Sequence, residues 1–184
     1  MMDKALGKRL SESVRQDKAG FSLVELMVVI TIIAVLVAIA IPVYANVRTK
    51  ALNNTLEYNQ TVLIRTITVI KTYLDLPKAP GDQRAALRDA LNEEIPGMII
   101  NPLSKSDLIL SSAQTAHNSS AAVVIVSRST TKMQNVNLTS HYPFNSAANK
   151  EKLKGTLFIT ICEDGYLLFY LLDGQANAVR EIMY

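Results

Sequence analysis

Gly20, Phe21 and Glu25 are the residues whose types and spacing could do chemistry. A glycine followed by an aromatic residue stands where a charged leader meets an apolar run, and cutting that bond would create a new amine at Phe21. Glu25 is then a lone carboxylate one helical turn away, at the head of a segment, Leu26–Val47, that holds no charged residue. A charge inside an apolar segment costs about 2.5–3.5 kcal/mol at the helix centre and less near an end. Packed away from water, it needs a cation beside it. The implied chemistry is one hydrolysis and one ion pair.

The order of these parts departs from an ordinary secretory signal, in which the cleavage site follows an apolar region of about 7–15 residues. Gly20 precedes the apolar region, so cutting there leaves the whole hydrophobic helix on the product. Roughly 20 apolar residues match a hydrocarbon core of about 30 Å, which predicts a membrane span at about residues 23–45. Pro42 lies late in that span. It has no amide hydrogen and its ring opposes the carbonyl of Ala38, which predicts a loosened or kinked helix.

On Gly20, Phe21, Glu25 and Pro42, which agree in type and spacing, the chain resembles the type IV pilin and pseudopilin precursors. These are prepilins with a class III signal peptide and an N-terminal methylation motif. The resemblance covers roughly the first third of the sequence; beyond Leu76 no family signature is legible. It implies cleavage after Gly20 by a prepilin peptidase, methylation of the Phe21 amine, and polymerisation with itself or with other pilins through an inner-membrane assembly platform. It implies that Glu25 pairs with the N-terminal amine of a neighbouring subunit. It also implies an α+β, pilin-like fold, with a long N-terminal helix packed on a C-terminal antiparallel sheet of three or four strands. The expected organisation is a leader, 1–20, a helix, 21–76, and a head domain, 77–184.

Other chemistry is thin. Cys162 is the single cysteine, so no intramolecular disulfide can form; on a strand it reads as a small buried hydrophobe. This departs from pilins that close a C-terminal loop with a disulfide. His117 and His141 lie in separate polar stretches, away from any partner at metal-ligand spacing. Glu163, Asp164 and Asp173 are the weak calcium candidates, three turn acids that could gather at one rim of the sheet. No glycine-rich phosphate loop, Gly-x-Ser-x-Gly or His-Glu-x-x-His is present, and neither an enzyme nor a cofactor is expected.

Charge sets the orientation. The leader carries Lys4, Lys8, Arg9, Arg15 and Lys18 against Asp3, Glu12 and Asp17, whereas Arg48 and Lys50 alone follow the apolar segment closely. The leader is therefore expected on the cytoplasmic side and the head outside until assembly carries it to the surface. The net charge is +3 over 184 residues. Most of it belongs to the leader, so nucleic acid is not indicated as a partner.

Past the membrane, Leu52, Leu56, Leu63, Ile67, Ile70 and Leu74 form one apolar stripe at helical period. Asn54, Glu57, Gln60, Arg65, Lys71 and Asp75 make the opposite, solvated face. Leu76-Pro77 and Pro80-Gly81 end the helix. A second helix is predicted over Asp82–Glu94 with Asp82 as N-cap, and Pro96-Gly97 ends it. Asn101–Ser120 reads as a variable surface loop. Ala121–Ser127, Thr156–Cys162, Tyr166–Leu172 and Ala176–Met183 read as strands. Glu163-Asp164-Gly165 and Asp173-Gly174 supply hairpin turns, and Leu157, Ile159 and Ile161 supply the inner face. The functions in contention are a filament subunit, a pseudopilin of a secretion or DNA-uptake system, and a membrane-anchored binding module that never polymerises.

Overall fold

The computed structural model describes residues 20–73, 80–111, 120–128, 130–138, 151–172 and 175–183. The fold is α+β. Its elements are α1 (Leu23–Tyr73), α2 (Pro80–Glu94), β1 (Ile109–Leu110), β2 (Val123–Arg128), β3 (Leu157–Cys162), β4 (Gly165–Leu172) and β5 (Gln175–Met183), with a short 3-10 turn at Met133–Asn135. The chain divides into two units, Met1–Val47 and Arg48–Tyr184, taken in turn below.

In the first unit the aliphatic run is helical throughout, and the helical assignment passes through Pro42 without a break. Valine and isoleucine are indifferent helix formers in water, yet in lipid a helix satisfies every backbone group internally. Thr31 conforms by donating its hydroxyl to the Met27 carbonyl at 2.7 Å. The side chains lie open: Leu26 is 59% exposed and Ile41 63%.

In the second unit, Leu56, Leu63, Ile67 and Ile70 are fully buried, so the expected stripe is the packing face of α1. Leu52 is half-buried and Leu74 lies outside the described residues. The stripe shares a core with Leu157, Ile159 and Ile161, and with Leu87 and Leu91 of α2. Two residues assigned to the solvated face do otherwise. Gln60 is 2% exposed, and its Nε2 donates to the carbonyls of Leu168 at 3.2 Å and Ala178 at 2.6 Å. The reason lies in the sheet: pairing of β4 with β5 is interrupted between Leu168 and Tyr170, and Ala178 has a φ of 49°. A bulge frees carbonyls from the ladder, and a buried carbonyl needs a donor. Lys71 likewise donates to the Met183 carbonyl at 2.6 Å.

Helix α2 begins at Pro80, which suits the first turn of a helix, so Asp82 lies inside it and is not its N-cap. Leu87, Ala90 and Leu91 are buried as their spacing predicts. The Tyr73 hydroxyl donates to the Glu94 carboxylate. That bond, more than any other influence, pushes the phenol pKa up to about 12.

The sheet has the order β1-β2-β3-β4-β5. The antiparallel meander expected at the C-terminal end is β3-β4-β5. Two strands extend it in parallel, β2 on β3 and the two-residue β1 on β2. Strand β1 falls within the stretch read as a surface loop, and so does Asn101, which is fully buried. Its Nδ2 donates to the carbonyls of Ala121 and Lys154 at 3.1 and 2.9 Å, and its Oδ1 accepts from the amides of Leu103 and Ser104. One amide side chain thus ties the segment before β1 to the starts of β2 and β3. Gly155, with φ 75°, leaves room for it, since a Cβ there would lie 2.5 Å from the Asn101 Oδ1.

Described parts of the connection from β2 to β3, around Val136, Leu138 and Leu153, cover the far side of the sheet. Val124, Val126, Phe158, Phe169 and Leu171 form a second core with Leu153, closed over by Val136 and Leu138. Phe158 and Phe169 stack with centroids 5.1 Å apart. Strands β3 and β4 are consequently buried on both faces, whereas only one buried face was expected.

Gly165 opens β4 opposite Met183, and a Cβ there would overlap the backbone carbonyl oxygen of Ile182. Gly165→Ala must push the two strands apart and is expected to cost about 2–4 kcal/mol. Thermal unfolding of the detergent-solubilised full chain followed by circular dichroism checks this; an unchanged melting temperature contradicts the close approach.

Candidate assembly and processing site

The head of α1 assembles its site from a few residues. Gly20 and Phe21 are non-helical and exposed, Phe21 by 86%. A Cβ on Gly20 would meet nothing within 4 Å, so packing among the described residues makes no use of the missing side chain. The helix begins at Leu23 because Ser22 and Glu25 cap it reciprocally. The Glu25 amide donates to the Ser22 hydroxyl at 3.2 Å, and the Glu25 carboxylate accepts from the Ser22 amide at 2.8 Å. The Leu26 amide then donates to the Ser22 carbonyl at 3.1 Å, the first helical bond.

This capping box fixes where the non-helical Gly20–Phe21 segment ends and the helix starts. The carboxylate lies in the first turn of the helix, beside its unpaired amides. Ser22 is the functional residue that the sequence reading passed over. Its signal was legible, a serine three residues before a glutamate at the edge of an apolar run.

Gly20, Phe21, Ser22 and Glu25 thus lie together within one turn, and Pro42 lies apart, further along the helix. Of the weaker candidates, Glu163 and Asp164 lie among the described residues. Asp164 spends its carboxylate on the Met133 amide at 2.8 Å, and the Glu163 amide donates to the Thr131 carbonyl at 3.1 Å. Asp173, His117 and His141 lie outside the described residues. Among the described residues no group of three or more His, Cys, Asp and Glu could hold a metal ion. Cys162 is 2% exposed in a small cluster with Met133 and Leu167. Burial first, then Asp164 and Glu181, pushes its thiol pKa up to about 11.

What fold and site define is an α+β domain carried on an apolar helix that is long enough to cross a membrane and starts beside an exposed Gly-Phe bond. Residues 15–41 match the prokaryotic N-terminal methylation motif, which supports a class III signal peptide of the type IV pilin and pseudopilin kind. The fold is consistent with that of pilins, and the motif implies processing by a prepilin peptidase and assembly into a filament. No curated protein and no solved structure matches the chain.

Two predictions follow from this geometry. Ser22→Ala removes one half of the capping box and should weaken the first turn by about 1 kcal/mol. Amide hydrogen exchange in micelles should show faster exchange at Glu25, with residues beyond Thr31 unaffected. For Cys162, about one thiol in a thousand is ionised at pH 8, so iodoacetamide should label the folded chain about a hundredfold or more slower than the urea-unfolded chain. The stability lent by a neutral thiol is present below its ordinary pKa of 9.0 and is lost as pH rises toward about 11.

Proposed function

We propose that this chain is a structural subunit of a type IV pilus-like filament, cut after Gly20, methylated at Phe21 and polymerised through the apolar part of α1. The observation that carries the reading is the junction itself. An accessible Gly20–Phe21 bond lies directly before a capped helix whose apolar side chains, such as Leu23 and Ile41 at 74% and 63% exposure, lie open.

Before cleavage the membrane covers that surface; after extraction neighbouring subunits do. Cleavage also supplies the missing cation. The new Phe21 amine lies at the positive end of its own helix, where a further positive charge is unfavourable. A neighbour's Glu25 offers it a carboxylate. Within a packed core an unpaired charge is strongly destabilising and the matched pair fixes register, so the ion pair selects one axial position between subunits. The head supplies the outer surface of the fibre and acts as a structural element, with no enzymatic role.

Intact-mass analysis with N-terminal sequencing, from cells with and without a prepilin peptidase, tests the reading. The expected product begins at N-methyl-Phe21 and depends on the peptidase; an intact leader in normal cells overturns the proposal. Glu25→Ala should be inserted and stable, with a filament yield reduced about tenfold or more, since breaking a buried pair costs about 3–5 kcal/mol. Normal yield from that variant removes the role given to Glu25.

A further inference from the structure

Within the second unit, α1 and the strands share one end, the end at which the chain enters from the apolar run. Tyr170 donates its hydroxyl to the Asn53 Oδ1 at 3.3 Å, which sets Asn53 near the row where β3 begins at Leu157, the partner of Tyr170. Arg48 and Lys50 precede Asn53 on the same helix, about 7.5 and 4.5 Å nearer the apolar run. Beside the strand starts lies the Asn101–Ser106 turn, because Asn101 holds the carbonyls of Ala121 and Lys154 and Ser104 donates to the carbonyl of Ser120 at 2.6 Å. Lys105 stands exposed in that turn, with a φ of 62°. Glycine or asparagine takes such a conformation with less strain, so the turn by itself does not call for a lysine. Exposed Lys152 and half-buried Lys154 lie just before β3.

Basic side chains thus gather at this end, and the acids near them are otherwise engaged. Glu151 is bound to Lys154 at 2.8 Å. Asp107 is turned to Gly97, where a Cβ would lie 3.8 Å from its Oδ2. Arg48, Lys50, Lys105 and Lys152 enter no ion pair among the described residues. The other end of the strands carries both signs, with Glu163 and Asp164 in the β3–β4 turn and Arg128 and Lys132 after β2. We infer that the basic end binds the phosphates of anionic lipid headgroups while α1 stands in the membrane. The helix apolar enough to span a bilayer enters the second unit at this end, so lipid is the anionic surface it meets first. The attraction of such a surface for Lys and Arg falls off within a Debye length, about 10 Å at 0.1 M salt, and the rise from Arg48 to Asn53 is shorter than that. The inference rests on the membrane-stored state of the proposed function, and not on polymerisation. Extraction into a filament then has to break this contact.

The test uses the full chain in nanodiscs of phosphatidylcholine, alone or with about one-third phosphatidylglycerol, each holding a trace of lipid with a nitroxide on its headgroup. In a Cys162→Ala background, Ser104→Cys carries a bimane label beside Lys105, and Lys132→Cys carries it at the opposite end of the strands. Quenching of the label at position 104 should be about threefold or more stronger in the anionic discs, and should fall to the phosphatidylcholine level in about 0.5 M salt. The label at position 132 should respond to neither change. Lys105→Glu combined with Lys152→Glu should abolish the difference between the discs, and Lys105→Arg combined with Lys152→Arg should keep it. Equal quenching in the two discs, a difference that high salt leaves intact, or one that survives both glutamates overturns the inference. The proposed function is read separately, from the first residue of the chain in producing cells. A chain that begins at Phe21 and shows no anionic-lipid quenching removes this contact alone, whereas an uncut chain that shows such quenching removes the filament subunit alone.

Discussion

The constraint on which the structure depends is that one helix must satisfy two solvents. Up to Val47, α1 exposes aliphatic side chains that water would penalise by about 25 cal/mol for each Å² left wet. After Arg48 the same helix buries Leu56, Leu63, Ile67 and Ile70 under a sheet of its own chain. The first part is therefore incomplete by composition, and the second is complete by folding. Such a surface is satisfied where lipid covers it or, in the proposed filament, where other subunits do, so that membrane storage and assembly would be two answers to one demand.

In the proposed filament, Glu25 is what makes the exchange between those answers specific. In the single chain its carboxylate holds the Ser22 amide, so it is neither bare nor committed to a partner. A capping carboxylate keeps acceptor capacity, because each oxygen can take more than one donor. Pairing with a neighbour's amine therefore need not dissolve the cap. The cap also holds the carboxylate near the helix start, close to Phe21, where the proposed cleavage would free an amine. Hydrophobic contact between helices would tolerate many axial positions, whereas an ion pair in a dry core tolerates few.

The parts legible in the sequence are those in which one side chain's character decides its place. The stripe from Leu56 to Ile70 and the alternation of Leu157, Ile159 and Ile161 gave the helix–sheet packing because apolar period and burial coincide there. Polar residues in the core were not legible for the complementary reason. Gln60 is buried by a bulge in strands more than a hundred residues away, and Asn101 by the carbonyls of Ala121 and Lys154 converging from two segments. Both positions are dictated by backbone geometry elsewhere, which no local pattern encodes. The second core escaped because strands β3 and β4 read as continuous apolar runs, a pattern that marks burial on both faces and overrides the expected one-sided sheet. Ser22 was legible in principle, but the serine and glutamate were read as a cleavage context and not as a pair.

The edges of the sheet bear on how copies of this chain can meet. A strand with free amides and carbonyls is a ready template for another chain. Strand β1 is two residues long, too short for such pairing to gain much. Strand β5 is longer, but its register breaks opposite Leu168, and α1 engages the carbonyls of Ala178 and Met183 through Gln60 and Lys71. The bulge twists this edge and the helix ties it down, so strand addition is disfavoured at both ends of the sheet. Buried Gln60 at the bulge and half-buried Lys71 at the end of β5 thus tie this edge to the helix. By blunting the competing edge, they leave the helix as the surface along which the proposed filament would propagate.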